Sequence, residues 1–187
     1  PTGSLLVMLP IMLVVTAPLG YYIGTYVAEA VIWIYETIGF LGVSILCALL
    51  PLMVMTGMHT MMTPYWTSAF ASLGYDPFFL PAMILSNMNQ FAATLAVSLK
   101  AKTKKVKSTA MSCAVTAIVG GVTEPAMFGI TFKYKKPLYA AMIGNAAGGL
   151  IAGLLKVACY AFPGSGGMFA VVTFAGPGNN LIFFLIA

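Results

Sequence analysis

The sequence predicts an all-α integral membrane protein that combines several spanning helices with re-entrant hairpins. Of its 187 residues, 60% are hydrophobic and only 7% are charged, whereas about a quarter of the residues of a soluble domain carry a charge. The apolar residues also form several runs near the length of about 20 residues that a helix needs to cross a bilayer. We therefore assign residues 1–187 to a single membrane domain.

The first apolar run covers residues 5–27 and predicts a spanning helix, because membrane helices accept internal prolines. In residues 28–40, Glu29 and Glu36 are seven positions apart and so share one helix face. This segment is either an amphipathic helix at the membrane surface or the end of one span and the start of the next. The pattern leaves both alternatives open.

The middle of the chain contains an interrupted segment between two helices. Residues 41–55 begin another span, and residues 81–99 predict an uninterrupted helix. Between them, proline and glycine occur too densely for a plain span, and this predicts a second broken or re-entrant element. The expected turn lies at Tyr75-Asp76-Pro77.

A third apolar stretch, residues 108–132, predicts a hairpin because lysines flank both of its ends. A single crossing would leave one basic cluster outside, against the preference for lysines on the cytoplasmic side. A segment that turns at Gly120-Gly121 and Glu124-Pro125 and returns keeps both clusters in the cytoplasm. Such broken backbone is tolerated at membrane depth only where it is buried in protein or lines a cavity. The flanking lysines are Lys100, Lys102, Lys104, Lys105 and Lys107 before the stretch, and Lys133, Lys135 and Lys136 after it.

Two apolar segments complete the chain. Residues 138–162 predict a span, and residues 169–187 are apolar but interrupted by Gly176-Pro177-Gly178. Since the sequence starts with Pro1 and ends inside an apolar run, we expect a domain truncated at both ends. The predicted span carries four glycines that permit close helix contact: Gly144, Gly148, Gly149 and Gly153.

Charge and cysteine content exclude several functions. Eight of the nine lysines lie between positions 100 and 136 and there is no arginine, which indicates topology and contact with acidic lipid head groups rather than nucleic-acid binding. His59 is the only histidine, so a haem held by two histidines of this chain and the usual zinc spacings are excluded. Cys47, Cys113 and Cys159 show no paired spacing and are interpreted as small hydrophobes. We expect no metal and no cofactor.

Glu124 is the strongest candidate for a functional residue, because a carboxylate at membrane depth is costly and usually serves a function. Pro125 suits the start of a helix, so Glu124 would cap a half-helix near free N–H donors and a favourable dipole. An ionised carboxylate accepts hydrogen bonds from hydroxyl groups, such as a pair of sugar hydroxyls. The alternative is a carboxylate that only caps its hairpin or pairs with a lysine.

His59 is the second candidate, since it lies at the other apparent helix break and a neutral imidazole both donates and accepts hydrogen bonds. Interrupted segments in two places indicate a transporter binding site. Asn87 and Gln90 share a helix face and could bind substrate, although interhelical hydrogen bonding is the commoner use. Trp66 or Tyr65 would offer an apolar face to a sugar ring, or anchor the chain at the interface.

Residues alone leave three function classes open. The first is a sugar transporter, the second an ion- or proton-coupled secondary transporter with Glu124 as the proton site, and the third a membrane scaffold without substrate. Composition and periodicity do not separate these classes.

Two segments resemble signatures of one family. Residues 121–129, Gly-Val-Thr-Glu-Pro-Ala-Met-Phe-Gly, look like the G-[IV]-T-E-P-A-x-[YF]-G signature of the sugar-transporting IIC component of bacterial phosphotransferase systems. Residues 56–59, Thr-Gly-Met-His, resemble that family's T-G-M-H segment. The pattern is closest to the glucose/glucoside family, in its beta-glucoside, sucrose and trehalose branch. The resemblance covers nearly the whole chain and corresponds to the later part of a IIC domain.

The resemblance implies a multi-pass sugar permease of the bacterial plasma membrane. His59 and Glu124 would hydrogen-bond the sugar, with Thr123 beside them in the signature. Phosphate would come from a cysteine of a IIB domain that is itself charged by IIA. The cysteines here do not sit in such a setting, so this chain would hold no phosphate carrier and no catalytic residue. The complete protein would be a homodimer in contact with membrane lipid.

Overall fold

Helices form nearly all regular structure in the computed structural model. It describes the backbone of residues 2–187 and their side chains except those of residues 2, 4–6, 20, 24, 25, 27, 28, 31, 34 and 35. We number the helices α1 (Thr2–Ile11, Met12–Thr16 and Ala17–Ile38, continuous), α2 (Phe40–Met55), α3 (Thr63–Leu73), α4 (Phe79–Lys100), α5 (Lys104–Val115 and Thr116–Gly120), α6 (Glu124–Ala126, Met127–Thr131 and Phe132–Tyr134), α7 (Lys136–Leu154) and α8 (Asn180–Ile186). Short 3₁₀ helices cover Met58–Met62 and Met168–Phe174.

The all-α prediction is confirmed in this described part of the chain, where the only pairing of the β type is an isolated bridge between Asp76 and Cys159. By length and composition, Lys136–Leu154 is the one described helix that is able to cross a membrane. Phe40–Met55 is also apolar but has only 16 residues. A helix suits an apolar solvent because all of its backbone bonds are made within the segment.

Residues 28–38 continue the first helix and do not form a separate one. The helix ends at Ile38 because Gly39 adopts φ +59°, a left-handed conformation that glycine accepts readily. Helix α2 then begins at Phe40. In backbone terms, residues 28–40 are the end of one helix and the start of the next, with Glu29 and Glu36 both exposed.

The core of the fold is the packing of α2 along α7, and the glycines of α7 make it possible. A Cβ at Gly149 would lie 2.8 Å from the Cβ of Cys47, and one at Gly153 would meet the backbone of Phe40. The Ser44 hydroxyl donates a hydrogen bond of 2.7 Å to the carbonyl oxygen of Ala146 across the same contact. The prediction that these glycines permit close helix contact is confirmed.

Helix α4 is the central element and contacts α2, α5 and α7. Asp76 fixes where it begins. One carboxylate oxygen accepts N–H bonds from Phe78 (2.8 Å) and Phe79 (3.1 Å), and the other accepts one from Leu80 (2.8 Å). These are the N–H groups that a helix start leaves without intrahelical partners. The predicted turn at Tyr75-Asp76-Pro77 is present, and its buried aspartate caps the helix that follows.

Replacing Asp76 with alanine should destabilise the protein by about 2 to 4 kcal/mol, because three buried N–H groups lose their acceptor. Asp76→Asn keeps one side-chain oxygen and should lose less. Thermal unfolding of the complete gene product in neutral detergent measures both variants. An Asp76→Ala protein that unfolds at the parent temperature would show that the cap contributes nothing.

The predicted span over residues 138–162 is shorter than expected, since α7 ends at Leu154. Lys156 follows with φ +53°, and the chain continues in extended conformation. The backbone N–H and C=O groups of Ala158 and Cys159 bond to residues outside α7. The Asn180 amide accepts from the N–H of Ala158 (3.0 Å) and donates to the carbonyl oxygen of Ala158 (2.8 Å), while Cys159 pairs with Asp76. These long-range partners, which the local apolar pattern does not reveal, end the helix early.

Candidate functional site

Helices α5 and α6 form a hairpin whose two ends lie together near the C-terminal end of α4. At the start of α5, the carbonyl oxygen of Lys107 accepts a hydrogen bond from the Ser98 hydroxyl of α4 (3.0 Å). On the returning arm, the Thr131 hydroxyl donates to the Gln90 side-chain oxygen (3.1 Å). Lysines from both flanking groups, Lys100 and Lys136, line one cavity. The hairpin therefore enters and leaves at one end of α4.

The hairpin tip is held by the loop of residues 163–167. The Ser165 hydroxyl donates to the carbonyl oxygen of Gly120 (3.0 Å), and the Asn87 amide donates to that of Gly166 (3.1 Å). Gly121 has φ +71°, and a Cβ there would collide with the backbone of Gly166 and Gly167. At 1.5 Å per residue, Asn87 is about 20 Å along α4 from Lys100, so the tip lies far from the lysines.

Glu124 is the first residue of α6, directly after this tip. The sequence interpretation that Glu124 itself caps the half-helix is wrong, because Thr123 occupies the cap position, 4% exposed and without a side-chain capping bond. Glu124 lies one residue further on, in the first turn, where the helix dipole favours a negative charge. Its side chain is exposed and makes no hydrogen bond or ion pair with any other described residue.

His59 lies in the 3₁₀ turn between α2 and α3 and borders a cavity of about 370 Å³. It is half-buried, and its Nδ1 atom is buried without a hydrogen-bond partner among the described residues. Volumes of about 300 to 1,000 Å³ are usual for small-ligand pockets. Within the cavity wall, the Trp66 and Phe162 rings stack with centroids 4.7 Å apart. The remaining lining residues are Thr60, Thr63, Phe79, Leu80, Met83, Pro163, Gly164, Ser165 and Gly166.

The 163–167 loop lies both at the His59 cavity and at the hairpin tip. Pro163 to Gly166 form part of the wall of the His59 cavity, while Ser165 also bonds the tip that precedes Glu124. Asn87 and Gln90 do not line this cavity. Gln90 makes an interhelical hydrogen bond of the kind expected, and its Nε2 atom remains buried without a partner among the described residues. Asn87 instead bonds the 163–167 loop.

Sequence reasoning missed the 163–167 loop, which reads Pro-Gly-Ser-Gly-Gly and was covered by no site prediction. Its glycine content was the available signal, because glycine allows backbones to approach closely. Trp66 lines the His59 cavity, whereas Tyr65 borders two other cavities. Three larger cavities, of about 670, 700 and 620 Å³, lie elsewhere, and neither His59 nor Glu124 lines any of them.

Known proteins that are similar to this chain indicate the family to which it belongs. The family model "Phosphotransferase system, EIIC" matches residues 2–146. The chain is 40% identical over 160 residues to the PTS system beta-glucoside-specific EIIBCA component of Bacillus subtilis (strain 168), covering 86% of this chain and 26% of that protein. It is 34% identical over 181 residues to the PTS system arbutin-, cellobiose-, and salicin-specific EIIBC component of Escherichia coli (strain K12), covering 97% and 37%.

A third relative is named for a different sugar. The PTS system sucrose-specific EIIBC component of Bacillus subtilis (strain 168) is 34% identical over 171 residues, covering 90% of this chain and 36% of that protein. The chain thus spans 26% to 37% of the length of these relatives. No solved structure matches it. With a family model over residues 2–146 and relatives that cover most of its length, this chain belongs to the EIIC family of the phosphotransferase system, a family of integral membrane domains.

Proposed function

We propose that this chain is the sugar-binding membrane part of a phosphoenolpyruvate-dependent permease, which carries a beta-glucoside or related sugar inward for phosphorylation. One observation carries the proposal beyond family membership. Glu124 and His59 each start or interrupt a helix, and each has a polar side-chain atom without a partner among the described residues. The 163–167 loop lines the His59 cavity and bonds Gly120 at the hairpin tip that precedes Glu124. A buried polar atom without a partner, such as His59 Nδ1, is costly inside a membrane protein unless a ligand uses it, and the exposed Glu124 carboxylate is open to the same ligand.

The proposed chemistry is recognition of hydroxyl groups. The Glu124 carboxylate accepts hydrogen bonds from two sugar hydroxyls. The His59 Nδ1 atom donates a hydrogen bond to a third hydroxyl or accepts one from it. Trp66 and Phe162 offer an apolar surface to a ring face. Thr123 is beside Glu124 at the helix start and completes the polar set. In the alternative, a proton-coupled transporter, Glu124 would carry a proton, and His59 would not need to contact a sugar.

Asn87 and Gln90 are assigned a supporting part in the proposal. Asn87 holds the 163–167 loop in place through Gly166, and Gln90 holds the returning arm through Thr131. The unpartnered Gln90 Nε2 atom leaves two N–H donors for substrate or a bound water.

The proposed topology places the lysines of residues 100–107 and 133–136 in the cytoplasm of a multi-pass plasma-membrane protein. Because both groups lie at the same end of α4, one membrane face accommodates them, in keeping with the positive-inside preference. Helix α7 then spans the membrane and the α5–α6 hairpin is re-entrant, with its tip bonded to the 163–167 loop and partly exposed to the cavity that such broken backbone lines.

The proposed partners are IIA and IIB phosphotransfer domains and a second copy of the complete protein. The relatives named EIIBCA and EIIBC combine IIC with such parts in one chain. Within this chain, Cys47 and Cys159 are buried, and Cys113 lies half-buried on α5. A phosphate carrier needs an accessible nucleophile, so the phosphorylated cysteine is assigned to IIB.

Uptake by the complete gene product in membrane vesicles tests the proposal. With the whole phosphorelay present, labelled salicin-type glucosides, sucrose, trehalose and glucose are offered in turn. We expect at least one sugar to accumulate as its phosphate only when phosphoenolpyruvate is supplied. Uptake without phosphoenolpyruvate that instead follows an imposed proton gradient would overturn the proposal and support a proton-coupled transporter.

A further inference from the structure

A second cavity, which we call the lysine cavity, lies at the end of α4 remote from the hairpin tip. Its volume is about 670 Å³, and it is bounded by the end of α4, the start of α5, the end of α6 and the start of α7. Three of its lining residues are lysines, Lys100, Lys102 and Lys136, all of them exposed. The proposed sugar site does not use any of them.

The charge at the lysine cavity is of one sign. The chain has four acidic residues, and Glu29, Glu36, Asp76 and Glu124 are all absent from its wall. No lysine of the wall is therefore neutralised there by a carboxylate of the described chain. Such a cavity attracts anions.

Backbone groups add to this attraction. Helices α5 and α7 both begin at the cavity, through Thr103 and Lys136. The residue before each helix, Thr103 or Lys135, makes no side-chain capping bond. Helix starts carry free N–H groups and a partial positive charge, which bind phosphate oxygens well. Helix α4 ends here with the opposite dipole, but its last turn carries Lys100.

The rest of the wall is apolar and so selects the kind of anion. Alanine and valine side chains of α4, α5 and α7 make up most of it, including Ala96, Val97, Val106 and Ala140. A free phosphate ion has no apolar part to bury against such a surface. The glycerol and upper acyl chains of a lipid do, and their burial is favourable. Since α7, the helix able to span a membrane, starts at the cavity, its mouth lies at a membrane surface.

We propose that the lysine cavity binds the phosphate head group of an anionic phospholipid such as phosphatidylglycerol. The phosphate oxygens accept from the ammonium groups of Lys100, Lys102 and Lys136 and face the starts of α5 and α7. Basic pockets between membrane helices on the cytoplasmic side bind anionic head groups in this way. The bound lipid would join the hairpin to α4 and α7 at the membrane surface.

Binding to the complete gene product in neutral detergent tests this site without sugar or phosphorelay, so its outcome is independent of the proposed transport function. Phosphatidylglycerol and phosphatidylcholine of equal chain length are titrated, and bound lipid is counted by native mass spectrometry. We expect a saturable preference for phosphatidylglycerol that falls about tenfold or more in the variant Lys100→Gln, Lys102→Gln, Lys136→Gln.

The matched control removes the same charge from the same region: Lys104→Gln, Lys105→Gln, Lys107→Gln, none of which lines the cavity. We expect this control to retain the preference within about threefold. An equal loss in both triple variants, or no loss in either, would overturn the proposal. Competition by inorganic phosphate at equal concentration would assign the site to a free anion. A cavity variant that binds lipid normally but no longer retains the IIB domain would make it a protein-docking surface.

Discussion

Replacing Glu124 with glutamine is expected to lower sugar affinity and phosphoenolpyruvate-dependent uptake by about 10-fold to 100-fold. A hydrogen bond to a charged group contributes about 1.5 to 3 kcal/mol, and 1.4 kcal/mol corresponds to a factor of ten. The amide keeps the size of the carboxylate but loses its charge and one acceptor oxygen. Since the Glu124 side chain has no hydrogen-bond or ion-pair partner among the described residues, the substitution should leave the unfolding temperature nearly unchanged.

Glu29→Gln is the matched control, because Glu29 is also an exposed glutamate on a helix and lies outside the His59 cavity. It should transport like the parent. His59→Ala should reproduce the binding loss of Glu124→Gln, since it removes the other unpartnered group. Binding isotherms with the best sugar from the uptake series measure all three variants. If Glu124→Gln binds and transports that sugar normally, Glu124 is not a ligand.

The second large effect is expected from Gly121→Ala, which should destabilise the protein by about 2 to 5 kcal/mol and abolish most uptake. A left-handed φ of +71° costs a residue with a Cβ about 1 to 2 kcal/mol, and forced overpacking costs about 1 to 3 kcal/mol more. The added methyl group would collide with the backbone of Gly166 and Gly167. Backbone cannot move aside as a flexible side chain does, so the tip and the 163–167 loop must separate.

Gly178→Ala isolates the contribution of backbone strain, because Gly178 has φ +67° but open space where a Cβ would be. We expect this control to unfold slightly earlier than the parent and to transport normally. Thermal unfolding and uptake of both variants are compared. Equal effects of the two substitutions would show that strain, and not the contact of the tip with the loop, explains the loss.

Local pattern was sufficient to predict most helices. Residues 41–55 and 81–99 correspond closely to α2 and α4, because an uninterrupted apolar run has few alternatives to a helix. The predicted span at residues 138–162 was too long for the opposite reason. Asn180, Asp76 and the bridge at Cys159 supply partners that allow the chain to leave the helix after Leu154, and these partners are distant in sequence.

The candidate site was predicted in part. Glu124 and His59 stand out because polar residues are rare in apolar segments, and composition alone reveals them. Thr123 as the cap residue and the role of the 163–167 loop depend on geometry that spacing does not encode. Asn87 shows the difference clearly: its helix face was predicted, but its partner at Gly166 is 79 positions away.

The sequence by itself determined the all-α class, the family, the interruptions near His59 and Glu124, and the lysines at both ends of the hairpin. These features are local, since each depends on residue types within one or two helical turns. Only the tertiary structure decided that the 163–167 loop bonds the hairpin tip and also lines the His59 cavity. It likewise decided that lysines from both flanking groups line one cavity. The physical reason is that these contacts join segments far apart in the chain, where close approach of glycine backbones and satisfaction of buried polar groups select the arrangement.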